Sequence, residues 1–271
     1  MGAEVAASMS GDLFSKFKEG ASIAVQADAI ALLQALPSES VDLVVTDPAY
    51  ESLEKHRAVG TTTRLTKAWF PIFPNARFRG WLHELYRVMK PRTHAYVFCD
   101  EETRDLLIPL AREVGFWHWK SIPYIKCRSA APDGPWDTAP DMAYSCLRSG
   151  TGYHWRATVE FVLFWEKATV PQRYPADAPR GQRRQLNNRS WPDVLFGTRV
   201  DGGYPTEKAP EVIERLILNS SNRLELVLDT FAGSGVVAKV ARAAGRRFVI
   251  GDIAHEAILR WHADRLVEEV T

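Results

Sequence analysis

The sequence predicts an α/β protein, a mostly parallel sheet with helices on both faces, and three stretches predict it. Val41-Asp42-Leu43-Val44-Val45-Thr46-Asp47-Pro48-Ala49-Tyr50 is a valine-rich run that stops at a carboxylate, a proline and an aromatic ring. A short run that is apolar on both faces reads as a buried parallel strand. Ahead of it, the strand Ile23-Ala24-Val25-Gln26, a helix over 29–36 capped by Asp28, and the turn Pro37-Ser38-Glu39-Ser40 form a β-α-β unit, which implies a parallel pair. Towards the far end, Leu224-Glu225-Leu226-Val227-Leu228-Asp229 reads as a strand, followed by Thr230-Phe231-Ala232-Gly233-Ser234-Gly235, a helix over 236–244 and the strand Arg247-Phe248-Val249-Ile250-Gly251-Asp252. Strand, glycine turn, helix, strand and terminal acid make one mononucleotide-binding unit.

At 271 residues, 46% hydrophobic and 25% charged, the chain has an ordinary globular composition and is read as a single domain over 1–271. No apolar run reaches membrane-spanning length, so no membrane partner is expected. The net charge of +1 points to no partner by itself. The three cysteines, Cys99, Cys127 and Cys146, form no Cys-x-x-Cys pair, which favours reduced thiols and a cytoplasmic setting. The seven histidines have no metal-ligand spacing, and no metal is expected.

Residues 1–20 offer only Leu13, Phe14 and Phe17 as anchors and read as an N-terminal arm. After Tyr50 the chain turns polar and irregular, with Arg57 and Arg64, and is expected to be a loop over the site. Phe78, Trp81, Leu82, Leu85 and Met89 recur at helical spacing, with Pro91 as the stop. His94-Ala95-Tyr96-Val97-Phe98-Cys99-Asp100 reads as a strand, followed by a helix holding Leu106, Leu107, Leu110 and Val114, which Pro109 either kinks or starts. A strand near 122–125 follows. Residues 128–157 read as a loop broken by proline and glycine and carrying Arg156, and Thr158-Val159-Glu160-Phe161-Val162-Leu163-Phe164-Trp165 as a strand. Residues 168–191 are basic: Arg173, Arg180, Arg183, Arg184 and Arg189 are interleaved with Tyr174, Asn187, Asn188 and Trp191, a mix that suits phosphate and base contacts as well as a plain solvated loop. Thr206 is expected to cap a helix at Glu207-Lys208-Ala209-Pro210 whose core face is Val212, Ile213, Leu216 and Ile217.

Two chemistries converge on the strand ends. Asp47, backbone carbonyls stiffened by Pro48, and the Tyr50 ring suit the holding of a flat, amine-bearing ring; Asp-Pro is also a common pair in plain turns. Gly233 and Gly235 let a ligand approach the backbone, and Asp252 can bond a ribose diol. Gly233-Ser234-Gly235-Val236-Val237-Ala238 also fits the G-x-G-x-x-G/A pattern of nicotinamide dinucleotide sites, but a dehydrogenase needs neither Phe231 nor the Asp47 turn.

With both motifs placed, the sequence resembles the S-adenosylmethionine-dependent amino-group DNA methyltransferases. Asp47-Pro48-Ala49-Tyr50 matches their D/N/S-P-P-Y/F motif and Phe231-Ala232-Gly233-Ser234-Gly235 their F-x-G-x-G motif; the order of the two is that of the circularly permuted beta group. Tyr204-Pro205-Thr206-Glu207-Lys208 resembles the H-P-T-x-K-P segment of that group, and Arg87-Val88-Met89-Lys90-Pro91 and Glu160-Phe161-Val162-Leu163-Phe164 resemble two further shared segments. Ala49 and Ala209 depart from prolines and Tyr204 from histidine. The resemblance, over about residues 22–267, implies a class I, Rossmann-like methyltransferase fold. It implies an S-adenosylmethionine site at Asp28, Ala29, Asp47, Thr206, Lys208, Phe231, Ala232, Gly233, Ser234, Gly235 and Asp252, and a catalytic turn at Asp47, Pro48, Ala49 and Tyr50. It implies methylation of the N6 amine of a flipped-out adenine in double-stranded DNA, by a homodimer. The basic composition itself makes residues 168–191 the candidate target-recognition segment, with the loops after Tyr50 and over 128–157 as helpers, and puts Arg57, Arg64, Arg156, Arg173, Arg180, Arg183, Arg184 and Arg189 on DNA. The alternatives are cytosine N4 as target, a catalytically silent DNA-binding subunit, and methylation of protein amides or RNA.

Overall fold

The computed structural model describes residues 20–53, 71–127, 158–167, 186–188, 190–198, 200, 207–259 and 261. Its strands are β1 (Ile23–Gln26), β2 (Val41–Thr46), β3 (Met89–Cys99), β4 (Phe116–Cys127), β5 (Val159–Lys167), β6 (Leu195–Thr198), β7 (Leu226–Asp229) and β8 (Arg247–Asp252). The helices are α1 (Ala29–Ala35), α2 (Phe78–Val88), α3 (Glu101–Val114), α4 (Pro210–Ser220) and α5 (Val236–Ala243). All eight strands share one sheet in the order β1-β8-β7-β2-β3-β5-β4-β6. Only β5 runs against the rest, antiparallel to both β3 and β4.

The central strands β2 and β7 are buried on both faces, so strand alternation sorts their side chains into two cores. Along β2, Val44 joins the core with Leu32, Trp81, Leu82 and Leu107, while Leu43 and Val45 join the other with Ile213, Leu216, Val237 and Ala241. Helices α1, α2 and α3 thus cover one face, and α4 and α5 the other. Asp42, the one charged residue of β2, is buried at the amino end; it takes an ion pair from Lys90 at 2.7 Å and the Leu226 amide at 3.0 Å.

The parallel pair expected from the first unit is not formed. β1 pairs with β8, and β2 with β7 and β3. The two strands of that unit lie in one sheet with β8 and β7 inserted between them, and a crossover helix fixes handedness without fixing adjacency. The winding reverses between β2 and β7: β2 leads through α2 to β3 on one side, β7 through α5 to β8 on the other. That reversal leaves a crevice at the carboxyl ends of the two central strands.

Several boundaries move for local reasons. Helix α2 stops at Val88 and Met89 already pairs with Val41; a bulge between there and the Leu43–His94 pair, with Arg92 at φ 66°, takes up Pro91. Asp100 caps α3, so Pro109 lies inside that helix. Helix α4 begins at Pro210 with Ala209 at its cap, not with Thr206, which lies outside the described residues; proline suits the first helical position because its missing N–H has no partner to lose. Strand β4 is longer than the stretch expected near 122–125, and β6 was not anticipated. Residues 1–19, 54–70, 128–157 and 168–185 lie outside the description, and with them the expected arm, most of the loop after Tyr50, the loop over 128–157 and most of the basic segment. No described helix is long and apolar enough to cross a membrane.

Trp165, fully buried on β5, donates its indole N–H to His118 Nδ1 at 3.0 Å. Trp165→Ala is expected to cost about 3–5 kcal/mol of stability in a urea titration, through the cavity left in a packed core.

Candidate active site

The carboxyl ends of β1, β2, β7 and β8 open on one cavity. Thr46, the last residue of β2, donates its hydroxyl to Asp229 Oδ1 at 2.7 Å, and the same oxygen accepts the Phe231 amide at 3.0 Å. One buried carboxylate therefore joins the ends of two neighbouring strands and sets where the turn after each begins.

On the β2 side, Pro48 is buried, and the Ala49 carbonyl accepts the Phe73 amide at 2.7 Å. That bond clamps the turn, and it occupies the carbonyl that a backbone contact at Ala49 would use. The Tyr50 ring is 5% exposed and lines the cavity; burial pushes its phenol well above the ordinary tyrosine value. Asp47 keeps 29% of its side chain exposed, and its Oδ2 lies 2.6 Å from Lys208 Nζ.

The unexpected feature is the pairing of Lys208 with two carboxylates. The Lys208 ammonium is buried, bridges Asp47 and Glu160 Oε2 at 2.6 and 3.2 Å, and lies 5.3 Å from the Phe98 ring centroid. Glu160 in turn pairs through Oε1 with Lys126 on β4. Burial works against the Lys208 charge, but Asp47 and Glu160 outweigh it and hold the ammonium protonated far above the usual lysine range. Burial also works to raise Glu160, yet Lys208 and Lys126 hold it down at about 2. Asp47 goes the other way: burial raises it, and the Lys208 charge, shared with Glu160, does not bring it back. Two neighbouring carboxylates are thus pushed apart, one fixed as a counter-ion and one left the stronger base.

On the β7 side, Gly233 and Gly235 take φ of 49° and 75°, in the left-handed region where a side chain is strained. Asp252 at the end of β8 braces this turn: Oδ2 accepts the Gly233 amide at 2.9 Å and Oδ1 the Ala254 amide at 2.8 Å. Phe231 packs edge-on against Phe73, with ring centroids 5.1 Å apart. At the end of β1, Asp28 caps α1 through Oδ1, which accepts Ile30 N and Ala31 N and also pairs with Arg77 at 2.8 Å. Against the opposing effect of burial, Arg77 and the amides hold Asp28 below the usual carboxylate range.

The sequence-predicted residues Asp28, Ala29, Asp47, Pro48, Ala49, Tyr50, Lys208, Phe231, Ala232, Gly233, Ser234 and Asp252 all line this cavity. Gly235 stands just behind, capping α5 with Trp261 against it. Thr206, Arg57, Arg64, Arg156, Arg173, Arg180, Arg183, Arg184 and Arg189 lie outside the described residues. In the basic segment, Asn187 Nδ2 donates to the Leu218 and Ser221 carbonyls, Asn188 N donates to Asn219 Oδ1, and Trp191 carries Arg215 5.1 Å over its ring. These three residues are engaged with α4 and the turn after it. Among the described residues no group of three His, Cys, Asp or Glu could hold a metal.

Among the cavity residues that the sequence reading did not place in the site are Thr46, Arg77, Glu160 and Asp229. Asp229 carries the signal that exposed Asp47, an acid at the carboxyl end of an apolar strand. Glu160 is an acid entering a strand that is otherwise apolar as far as Trp165. Arg77, beyond a long irregular stretch, carries no comparable signal.

The site's chemistry fits the wider comparisons. A DNA methylase family model, that of the N6 and N4 enzymes, matches residues 41–260. The chain belongs to this family of DNA methylases. DNA adenine methyltransferase YhdJ of Escherichia coli (strain K12) is 26% identical over 263 residues, 90% of this chain and 82% of that protein. Type II methyltransferase M.HpaI of Haemophilus parainfluenzae is 26% identical over 233 residues, 85% of this chain and 70% of that one. Among solved structures, TTHA0409 of Thermus thermophilus, crystallised with S-adenosyl-L-methionine, superposes with a TM-score of 0.59 at 18% identity, over 92% of this chain and 94% of that one. The fold is that of these DNA methyltransferases.

Burial lifts Asp229 to about 7, against the hydrogen bonds that favour its anion. The carboxyl is therefore easier to protonate folded than unfolded, so its contribution to stability is present in acid and lost as pH rises towards 7. Asp229→Asn keeps an oxygen for Thr46 and Phe231 and removes the charge. Its melting temperature is expected to fall less than the wild type's between pH 5 and 8, with a gain at pH 8 on the order of a few kcal/mol. Parallel melting curves for the two proteins across that range would contradict this account.

Proposed function

We propose that the protein is a site-specific DNA methyltransferase that moves a methyl group from S-adenosylmethionine to the exocyclic N6 amine of an adenine turned out of duplex DNA. The observation that carries this reading is Asp47: a carboxylate at a proline turn, open to the same cavity as the glycine turn of Gly233 and Gly235. The family membership and the adenine specificity in the name of its YhdJ relative support it.

Residues of this chain fit the cofactor. The glycine turn keeps side chains away from a ligand at the backbone, Phe231 offers an apolar wall, and Asp252 and Asp28 offer carboxylates for a ribose diol and an adenine ring. S-adenosylmethionine, when bound, supplies a methyl on a sulfonium that needs no further activation, the C–S electron pair returning to sulfur.

The protein's task is to make a poor nucleophile attack. The lone pair of an exocyclic amine on adenine is delocalised into the ring. Asp47 and the Pro48 carbonyl accept its two N–H bonds and draw the nitrogen towards tetrahedral geometry, while Tyr50 holds the base plane. The nitrogen gives up one proton as it gains the methyl, and Asp47, kept the stronger base of the two carboxylates, takes it. An amine inside the helical stack is out of reach, so the base leaves the duplex first. The arginines between 173 and 189, with Arg57, Arg64 and Arg156, are proposed to neutralise phosphates, and a homodimer to supply the further surface a duplex needs.

Asp47→Ala is expected to lower methyl transfer to duplex DNA by about a hundredfold or more, with S-adenosylmethionine affinity by calorimetry within a few-fold of wild type. Transfer at a near wild-type rate would remove Asp47 from the chemistry and this reading with it.

A further inference from the structure

Glu160 has no role in the chemistry described above, yet it is held between two cations, Lys126 and Lys208. It is the second residue of β5, its side chain is 15% exposed, and it lines the cavity beside Asp47. Its Oε1 pairs with Lys126; its Oε2 is buried, 3.2 Å from Lys208 Nζ, and not aligned for a hydrogen bond. Asp47, Lys208, Glu160 and Lys126 therefore alternate in sign, each touching the next.

We propose that Glu160 is a positioning residue for methyl transfer: with Lys126 behind it, it shares the Lys208 ammonium, so that Lys208 holds Asp47 by Oδ2 without consuming the carboxylate, and Oδ1 is left to meet the target amine. The proposal deepens the functional reading above and rests on it. An ammonium held by Asp47 alone would turn its whole charge on that carboxylate, weakening it as acceptor and as base. An ammonium left unheld on the Glu160 side would also be free to shift towards Asp47 and crowd the carboxylate that must stay open to the amine. Lys208 reaches this place from the segment just before α4, where Pro210 and Ala209 fix the chain direction. Arg77, also on the cavity wall, is paired with Asp28. The other titratable groups whose charge bears on Asp47 are Tyr50 on its own turn, Cys99 at the end of β3 and Asp229 at the end of β7. None of these is a cation, so Lys208 and, behind it, Lys126 set the balance.

The sign of the effect can be read in a pH profile. The Glu160 anion raises Asp47, and transfer requires Asp47 ionised. Glu160→Gln keeps the volume and removes the anion, so the Lys208 charge falls more fully on Asp47. Single-turnover transfer to duplex DNA is measured for both proteins across the acid limb, with S-adenosylmethionine affinity by calorimetry and folding by thermal melting. The variant is expected to transfer roughly ten- to a hundredfold more slowly, with its acid limb moved to lower pH and its cofactor affinity within twofold. Glu160→Asp, which restores the anion, should return the limb towards the wild-type position even if its rate stays low. An active wild type matched by Glu160→Gln in rate and limb overturns this assignment alone. Loss of rate in step with cofactor affinity, or with no movement of the limb in either variant, also overturns it, making Glu160 a cofactor-site or packing residue. A wild type that binds the cofactor and leaves DNA unmethylated fails the functional reading itself, and this one with it.

Discussion

A buried ammonium must be matched by anions, and the candidate site is arranged around that requirement at Lys208. The ammonium stands where the turn after β2, the start of β5 and the segment before α4 meet, and it is held by Asp47 and Glu160 together. Each charge alone would be costly to bury; removing one partner of such a pair typically costs about 3–5 kcal/mol. The set therefore stands or falls together, and it fixes Asp47 within the cavity before any substrate arrives. Prearranged charge of this kind is what a reaction with a weak nucleophile and a ready electrophile requires.

The second constraint is the union of two strand ends. Thr46 and Asp229 meet across the switch point between β2 and β7, so the carboxylate turn and the glycine turn keep one spacing. Asp252 performs the same office one strand further out, bracing Gly233 from the end of β8. In a doubly wound sheet the switch point is the natural crevice, and here it places the two motifs, 184 residues apart from Asp47 to Phe231 in sequence, on one wall.

Much of this was legible in the sequence because strongly patterned stretches leave little choice. Val41–Thr46 had to be a doubly buried strand, Asp28 is the cap that it promised, and the glycine turn with Asp252 falls as read. Non-local facts were less accessible. That β1 and β2 are separated by β8 and β7 depends on which edges pair, and no local pattern encodes it. Strand β6 is too short to stand out from the irregular residues around it. Lys208 was assigned to the cofactor because its segment resembles one that contacts it; its partnership with Glu160 depends on β5 lying beyond β3 in the sheet, a tertiary fact. The same holds for Arg77, whose meaning comes only from the cap it reaches.

The central claim is the transfer of a methyl group to adenine N6. It is tested most directly by incubating the protein with duplex DNA and S-adenosylmethionine carrying a deuterated methyl, digesting the DNA to nucleosides and weighing the products. The account predicts labelled N6-methyl-2′-deoxyadenosine that is absent when Asp47→Ala replaces the wild type. Labelled N4-methyl-2′-deoxycytidine in its place, or no labelled nucleoside from protein that binds the cofactor, would contradict it.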